Sequence, residues 1–159
     1  MTYFLIEDIE LELDGLAPNI DCVGQDELKV LLRGSYNDFP MISFERTTDS
    51  NVEVSPKESR FLNDSSHEGN WFIGYDDDDI YFIINLKDDR QTIEIDTFEV
   101  NIHKRNMKLG SSVVDAVENA VSGSYDYIEI SPFDTDAINF WEHMGYREGN
   151  NGYWIKKLD

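Results

Sequence analysis

Between Asn101 and Ser112 the chain carries no acidic residue, although it holds 33 Asp and Glu against 13 Lys and Arg overall. That gap contains His103, Lys104, Arg105 and Lys108. It runs into Gly110, Ser111 and Ser112, and then into Val113, Val114, Val117 and Val121 at helical spacing. A helix starting there presents free backbone N–H groups and the positive end of its dipole beside those cations. Such an arrangement binds phosphate. Gly110, lacking a side chain, lets a ligand approach the backbone, and the serines can cap the helix or donate hydroxyls. The competing explanation is an ordinary basic turn that balances an acidic surface.

A second set of candidates precedes this segment. In the strand-like TIEIDTFEV, a period of two puts Glu94, Asp96, Phe98 and Val100 on one face and Glu99 on the other. A partly buried carboxylate there, raised toward a useful pKa, could accept a proton, whereas a solvated or cross-strand-paired one would do nothing. No Ser/His or Cys/His arrangement suggests a covalent nucleophile. The acidic run Asp76 to Asp79 lacks the spacing, central Gly and closing Glu of a calcium loop, so it is expected to be a hairpin turn and no metal is expected. The single Cys22 excludes an internal disulfide and is expected to be a buried small hydrophobe.

The elements that would position these groups follow from the pattern. The opening TYFLIEDIELEL reads as a strand ending at Asp14-Gly15. A short helix is expected from Asp26 to Leu32, with Leu28, Leu31 and Leu32 on one face and Gly34 as its stop. Residues 47–70 are expected to be loop-rich. From Trp71 onward, WFIGY, IYFIINL and TIEIDTFEV read as three strands of an antiparallel meander joined by acidic turns. A helix, the strand YDYIEIS, a second helix over DTDAINFWEHMGY capped by Asp134 or Thr135, and a closing strand GYWIKKL complete the order βββαβαβ. That is a mixed α/β fold in a single domain, with helices packed around a sheet.

Hydrophobic residues make up 40% of the 159, enough to fill one core. The formal net charge of −20 repels nucleic acid and anionic membranes and favours cationic partners. With acids inside its apolar opening, no basic leader and no run of 18 apolar residues, the chain is expected to be cytoplasmic.

TFEVNIHKRNMKLGSSVV resembles the acetyl-CoA-binding motif of the GNAT N-acetyltransferases, in which a strand ending in Val runs into Arg-x-x-Gly-x-Gly before a helix. Val100, Arg105 and Gly110 match, while Lys108 stands where the first Gly belongs. DTDAINFWEHMGYRE resembles that family's later segment, with Ala137, Phe140, Glu142, Gly145 and Tyr146 in register. Together the matches span residues 71–159. The resemblance implies a GNAT-like, mostly antiparallel sheet with flanking helices, and acetyl-CoA as co-substrate. It assigns the pantetheine arm to Phe98 and Val100, and the pyrophosphate to Arg105, Asn106, Met107, Lys108, Leu109, Gly110 and Ser111. It implies direct attack of a primary amine, small-molecule or protein, with Glu94 as first choice of base and Asp96 as second. Trp141 replaces the Tyr that many members use as the acid for the departing thiolate, and indole is no such acid. A catalytically silent acyl-CoA-binding or protein-interaction module is therefore the alternative, and both monomer and homodimer stay open.

Overall fold

The computed structural model describes residue 17 and residues 19–32, 38–39, 44–46, 54–56 and 69–159. Strands β1 (Asn19–Val23), β2 (Phe44–Arg46) and β3 (Val54–Pro56) and helix α1 (Gln25–Leu32) come first. The meander β4 (Asn70–Asp76), β5 (Asp79–Asp89) and β6 (Thr92–Val100) follows. Then come α2 (Leu109–Val121), β7 (Tyr127–Ile130), α3 (Thr135–His143), β8 (Arg147–Glu148) and β9 (Trp154–Lys157). The main sheet has the order β1-β4-β5-β6-β7-β9-β8, and β2 pairs with β3 apart from it. Its one parallel neighbour pair among these strands is β6–β7, and α2 makes the crossover that a parallel pair requires. This is the mixed α/β fold that the pattern implied, with the mostly antiparallel sheet and flanking helices that the resemblance implied.

The meander closes through Asp77 and Asp78, with Asp77 at φ 49°, a conformation that Asp tolerates better than most residues. Two apolar layers sandwich the sheet. On one face Leu109, Val113, Val114, Val117 and Val121 of α2 and Trp141 of α3 pack on Phe82, Ile84, Ile93 and Ile95. On the other, Leu28 and Leu32 of α1 pack with Phe39, Trp71, Ile73 and Ile83. Each such side chain contributes about 1.5–3 kcal/mol when fully buried. Gly74 lies opposite Phe82 across β4 and β5, and a Cβ at residue 74 would overlap the Phe82 ring. Gly74→Ala is therefore expected to lower stability by about 3 kcal/mol, because a fully buried aromatic must move. A urea unfolding midpoint equal to that of the parent would contradict this.

Several expectations change. Helix α2 begins at Leu109, so Gly110 and Ser111 lie in its first turn and not in the loop before it. Leu31 is exposed, since only the i, i+4 pair Leu28 and Leu32 points at the sheet. Cys22 is exposed as well, because β1 stands at the end of the described strand order. Residues 54–56 form a strand within the stretch read as loop. The opening strand over residues 2–13, its turn and the Gly34 stop lie outside the described residues.

The largest correction concerns β6. Thr97 pairs with Asn85 and Ile95 with Leu86, so Asp96 is an extra residue in a β-bulge. The bulge reverses the alternation. Ile93, Ile95, Phe98 and Val100 all join the α2 side of the core. Glu94 pairs with Lys87, and Glu99 pairs with Ile83 of the opposite layer. Glu94 and Asp96 therefore do not share a face with Phe98 and Val100, whereas Glu99 does share the Glu94 face.

Candidate functional site

Strand β6 pairs with β7 only from Thr92 to Ile95, against Tyr127 to Ile130. Beyond that point β6 continues to Val100 while the chain after β7 turns through Ser131, Pro132 and Phe133 toward α3. The two strands separate, and the space between them is a cleft of about 120 Å³ whose walls include Ile95, Asp96, Thr97, Ile130, Phe133 and Trp141. A second cavity of about 1070 Å³ lies between the end of β6, the start of α2 and α3. Phe98, Glu99, Phe133, Ala137 and Trp141 border both spaces, so the two adjoin.

The larger cavity gathers Phe98, Val100, Arg105, Asn106, Lys108, Leu109, Gly110 and Ser111. Met107 is 52% exposed and is not among its walls. Asn106 and Lys108 adopt φ 63° and 60°, so the backbone makes the turn expected of a glycine even though Lys108 bears a Cβ. Lys108 occupies the N-cap position of α2 without a side-chain cap bond. Ser112 does not cap either, because its hydroxyl donates back to the Lys108 carbonyl at 2.9 Å. The first residues of α2, Leu109, Gly110 and Ser111, line the cavity, and their N–H groups receive no side-chain cap from Lys108. A Cβ on Gly110 would meet the Phe140 ring at 3.4 Å, about van der Waals contact, so the space beside residue 110 in the packed helices is narrow but not closed to a methyl group.

The turn before α2 is anchored on several sides. Buried Asn101 donates to the Ile80 carbonyl at 2.8 Å and accepts from the His103 N–H at 2.9 Å. The Ile102 N–H donates to the Asp38 carbonyl at 2.8 Å, and His103 Nε2 lies 2.8 Å from Asp38 Oδ1. Lys104 reaches Asp79 at 3.3 Å over the Tyr81 ring. Arg105 donates through Nε to the Val100 carbonyl at 3.0 Å and meets the buried Glu99 carboxylate at 3.4 Å. Among the described residues Lys108 is in no ion pair.

The carboxylates stand on the opposite face. Glu94 lies beside Glu129 of β7 in the parallel register. Burial pushes its carboxyl above the usual range, and the neighbouring Asp96 and Glu129 push it further against the opposing pull of Lys87. Asp96 lines the small cleft and is ion-paired with Lys87 at 3.4 Å. Glu94 itself lines neither cavity. Tyr153 belongs to the same cluster, since Glu94 is the main cause holding its hydroxyl above the ordinary tyrosine range.

The binding residues chosen from the sequence did not include the wall supplied by α3 and the turn before it: Phe133, Asp134, Asp136, Ala137 and Phe140, with Trp141, which the resemblance had singled out only as the replacement of an acid. The motif in DTDAINFWEHMGYRE was the available signal, but it reads equally well as core. Asp134 caps α3 by accepting from the Ala137 N–H at 2.8 Å. Among the described residues no group of three His, Cys, Asp or Glu gathers to hold a metal, and no helix is long and apolar enough to cross a membrane.

The seven-stranded, mostly antiparallel sheet with its flanking helices is the fold of solved GNAT acetyltransferases. An acetyltransferase of the GNAT family from Staphylococcus aureus Mu50 matches with a TM-score of 0.60 at 18% identity, over 89% of this chain and 99% of its own. Tetrahymena GCN5 also gives 0.60, at 10% identity, over 89% of this chain and 96% of its own. AtaTR bound with acetyl-CoA gives 0.56 at 12% identity, over 87% and 92%. No family model matches the sequence, and no curated protein matches it.

Proposed function

We propose that the chain is an acetyl-CoA-dependent N-acetyltransferase acting on a cationic primary amine. The observation that carries this reading is the adjoining pair of spaces, one walled by the cations and N-terminus of α2, the other opening between β6 and β7 beside Asp96. A pyrophosphate suits Lys108 and the early α2 N–H groups, and a slender arm suits the apolar passage along Phe98 and Val100. The bound thioester supplies the acyl group, and the chain orients it and manages the amine's proton. The acetyl-CoA bound to AtaTR, which shares this fold, supports the choice of ligand.

An alkyl amine of pKa about 10.4 is neutral in only about one part in 2500 at pH 7, a cost of about 4.6 kcal/mol. A base is therefore useful. Glu94 is the better choice, because burial raises its carboxyl while Asp96 is committed to Lys87. Glu94 borders neither cavity and therefore acts through intervening water, and Asp96, Glu129 and the net charge of −20 favour a cationic acceptor. Thiol release from acetyl-CoA on adding alkyl amines tests the reading, and binding without release from any amine would refute it. Trp141, an indole where an acid would serve, favours the alternative of a silent acyl-CoA-binding module, which that outcome would establish.

Lys108 supplies a further check. Lys108→Gly relieves a left-handed lysine and is expected to raise stability by about 0.5 kcal/mol after the entropy of glycine is counted, while coenzyme A affinity falls roughly ten-fold with the lost cation. Lower stability together with unchanged affinity would contradict both halves of that argument.

A further inference from the structure

Among the described residues Glu99 is the only acidic or basic residue that is buried, and its side chain is 1% exposed. It pairs with Ile83, which belongs to the apolar layer covered by Leu28 and Leu32 of α1. Taking a carboxylate out of water is costly, and a buried ion pair seldom adds stability over apolar residues of the same volume. Folding alone therefore gives no reason for a carboxylate at this position. What Glu99 meets is Arg105, whose Nη2 donates to its Oε1 at 3.4 Å while Arg105 Nε donates to the Val100 carbonyl at 3.0 Å. The two bonds fix the guanidinium across the turn that joins β6 to α2. A guanidinium carries five N–H donors, and three of those on Arg105 have no partner among the described residues. Glu99, Val100 and Arg105 all border the larger cavity, where Lys108 and the first residues of α2 also stand.

We infer that Glu99 is a positioning residue for the diphosphate of the bound coenzyme: it holds Arg105 in place, so that the donors left over meet the ligand already ordered. The inference rests on the proposed use of a coenzyme A thioester and deepens it. A long side chain that is free to rotate loses that freedom on binding, whereas one already held does not. The negative charge of Glu99 opposes an anionic ligand, so its contribution comes through the oxygen that accepts from Arg105 and not through its charge. This is the reason to keep a carboxylate in an apolar layer: it locks a ligand-facing group from behind.

The test compares Glu99→Gln with Glu99→Met by calorimetry with coenzyme A. Both replacements remove the same negative charge and nearly keep the volume of glutamate, but only glutamine retains an oxygen that can accept from Arg105. The difference between them isolates the acceptor. Glu99→Gln is expected to bind coenzyme A roughly five-fold more tightly than Glu99→Met, the factor that ordering one long side chain implies. Combined with Arg105→Met, the two replacements should bind equally, because the group that Glu99 positions is gone. Equal affinities while Arg105 is present, or a difference that persists without it, would overturn the inference and leave coenzyme binding intact. Failure of both Glu99→Met and Glu99→Leu to fold would overturn it too, since the ion pair would then be a requirement of the fold. No binding of coenzyme A by the parent would overturn the proposed function together with this inference.

Discussion

Glu94→Gln is expected to lower the rate of acetyl transfer to an alkyl amine by roughly 10²- to 10⁴-fold at neutral pH, with coenzyme A affinity unchanged. Glutamine keeps the size and β6 pairing of Glu94 but cannot take a proton. The loss should shrink as pH rises, because more of the amine then arrives neutral. On the acid side the parent's kcat/KM should rise with pH through the Glu94 pKa, which lies above the ordinary carboxylate range. The sign of a second change follows from its causes. Asp96 raises that pKa, and Lys87, which Asp96 now engages, lowers it. Asp96→Asn should therefore move the acid limb to lower pH. A limb that stays in place, or an Asp96→Asn variant more crippled than Glu94→Gln, would reverse the assignment of the base.

Replacing Arg105 and Lys108 together by Glu is expected to weaken coenzyme A binding by on the order of 10³-fold, because two cations near a pyrophosphate become anions. The two contributions differ in kind. Lys108 stands at the α2 N-terminus outside any ion pair among the described residues, so Lys108→Glu should reduce affinity with little effect on unfolding. Arg105 is tied to Glu99, whose side chain is only 1% exposed. Arg105→Glu sets two carboxylates against each other and should also cost about 2 kcal/mol of stability, less than a fully buried pair would because Arg105 is 39% exposed. Affinity that survives the double replacement would remove this turn from the ligand site.

What the sequence disclosed and what it hid divide along local and non-local physics. The cation-bearing turn was legible because a charge gap, a glycine and a helical repeat lie within about twenty consecutive residues, and the same locality marked the meander. The face of Glu94 was not legible. The bulge at Asp96 exists because of how β6 registers against Asn85 and Leu86, and no alternation within β6 announces it. Glu99 was set aside for the same reason, yet it is the buried anion that holds Arg105. The start of α2 was placed late because Lys108 takes a left-handed conformation that its residue type disfavours. Strand β8, at two residues, is too short to leave a periodic signal.

The central claim is that the chain binds acetyl-CoA at the turn and helix start around Lys108 and Gly110. Isothermal calorimetry of the parent chain with acetyl-CoA, alongside Lys108→Glu, tests it most directly. The account predicts one saturable site in the parent and affinity reduced by about ten-fold or more in the variant. Absence of binding by the parent, or equal affinity for both, would contradict it.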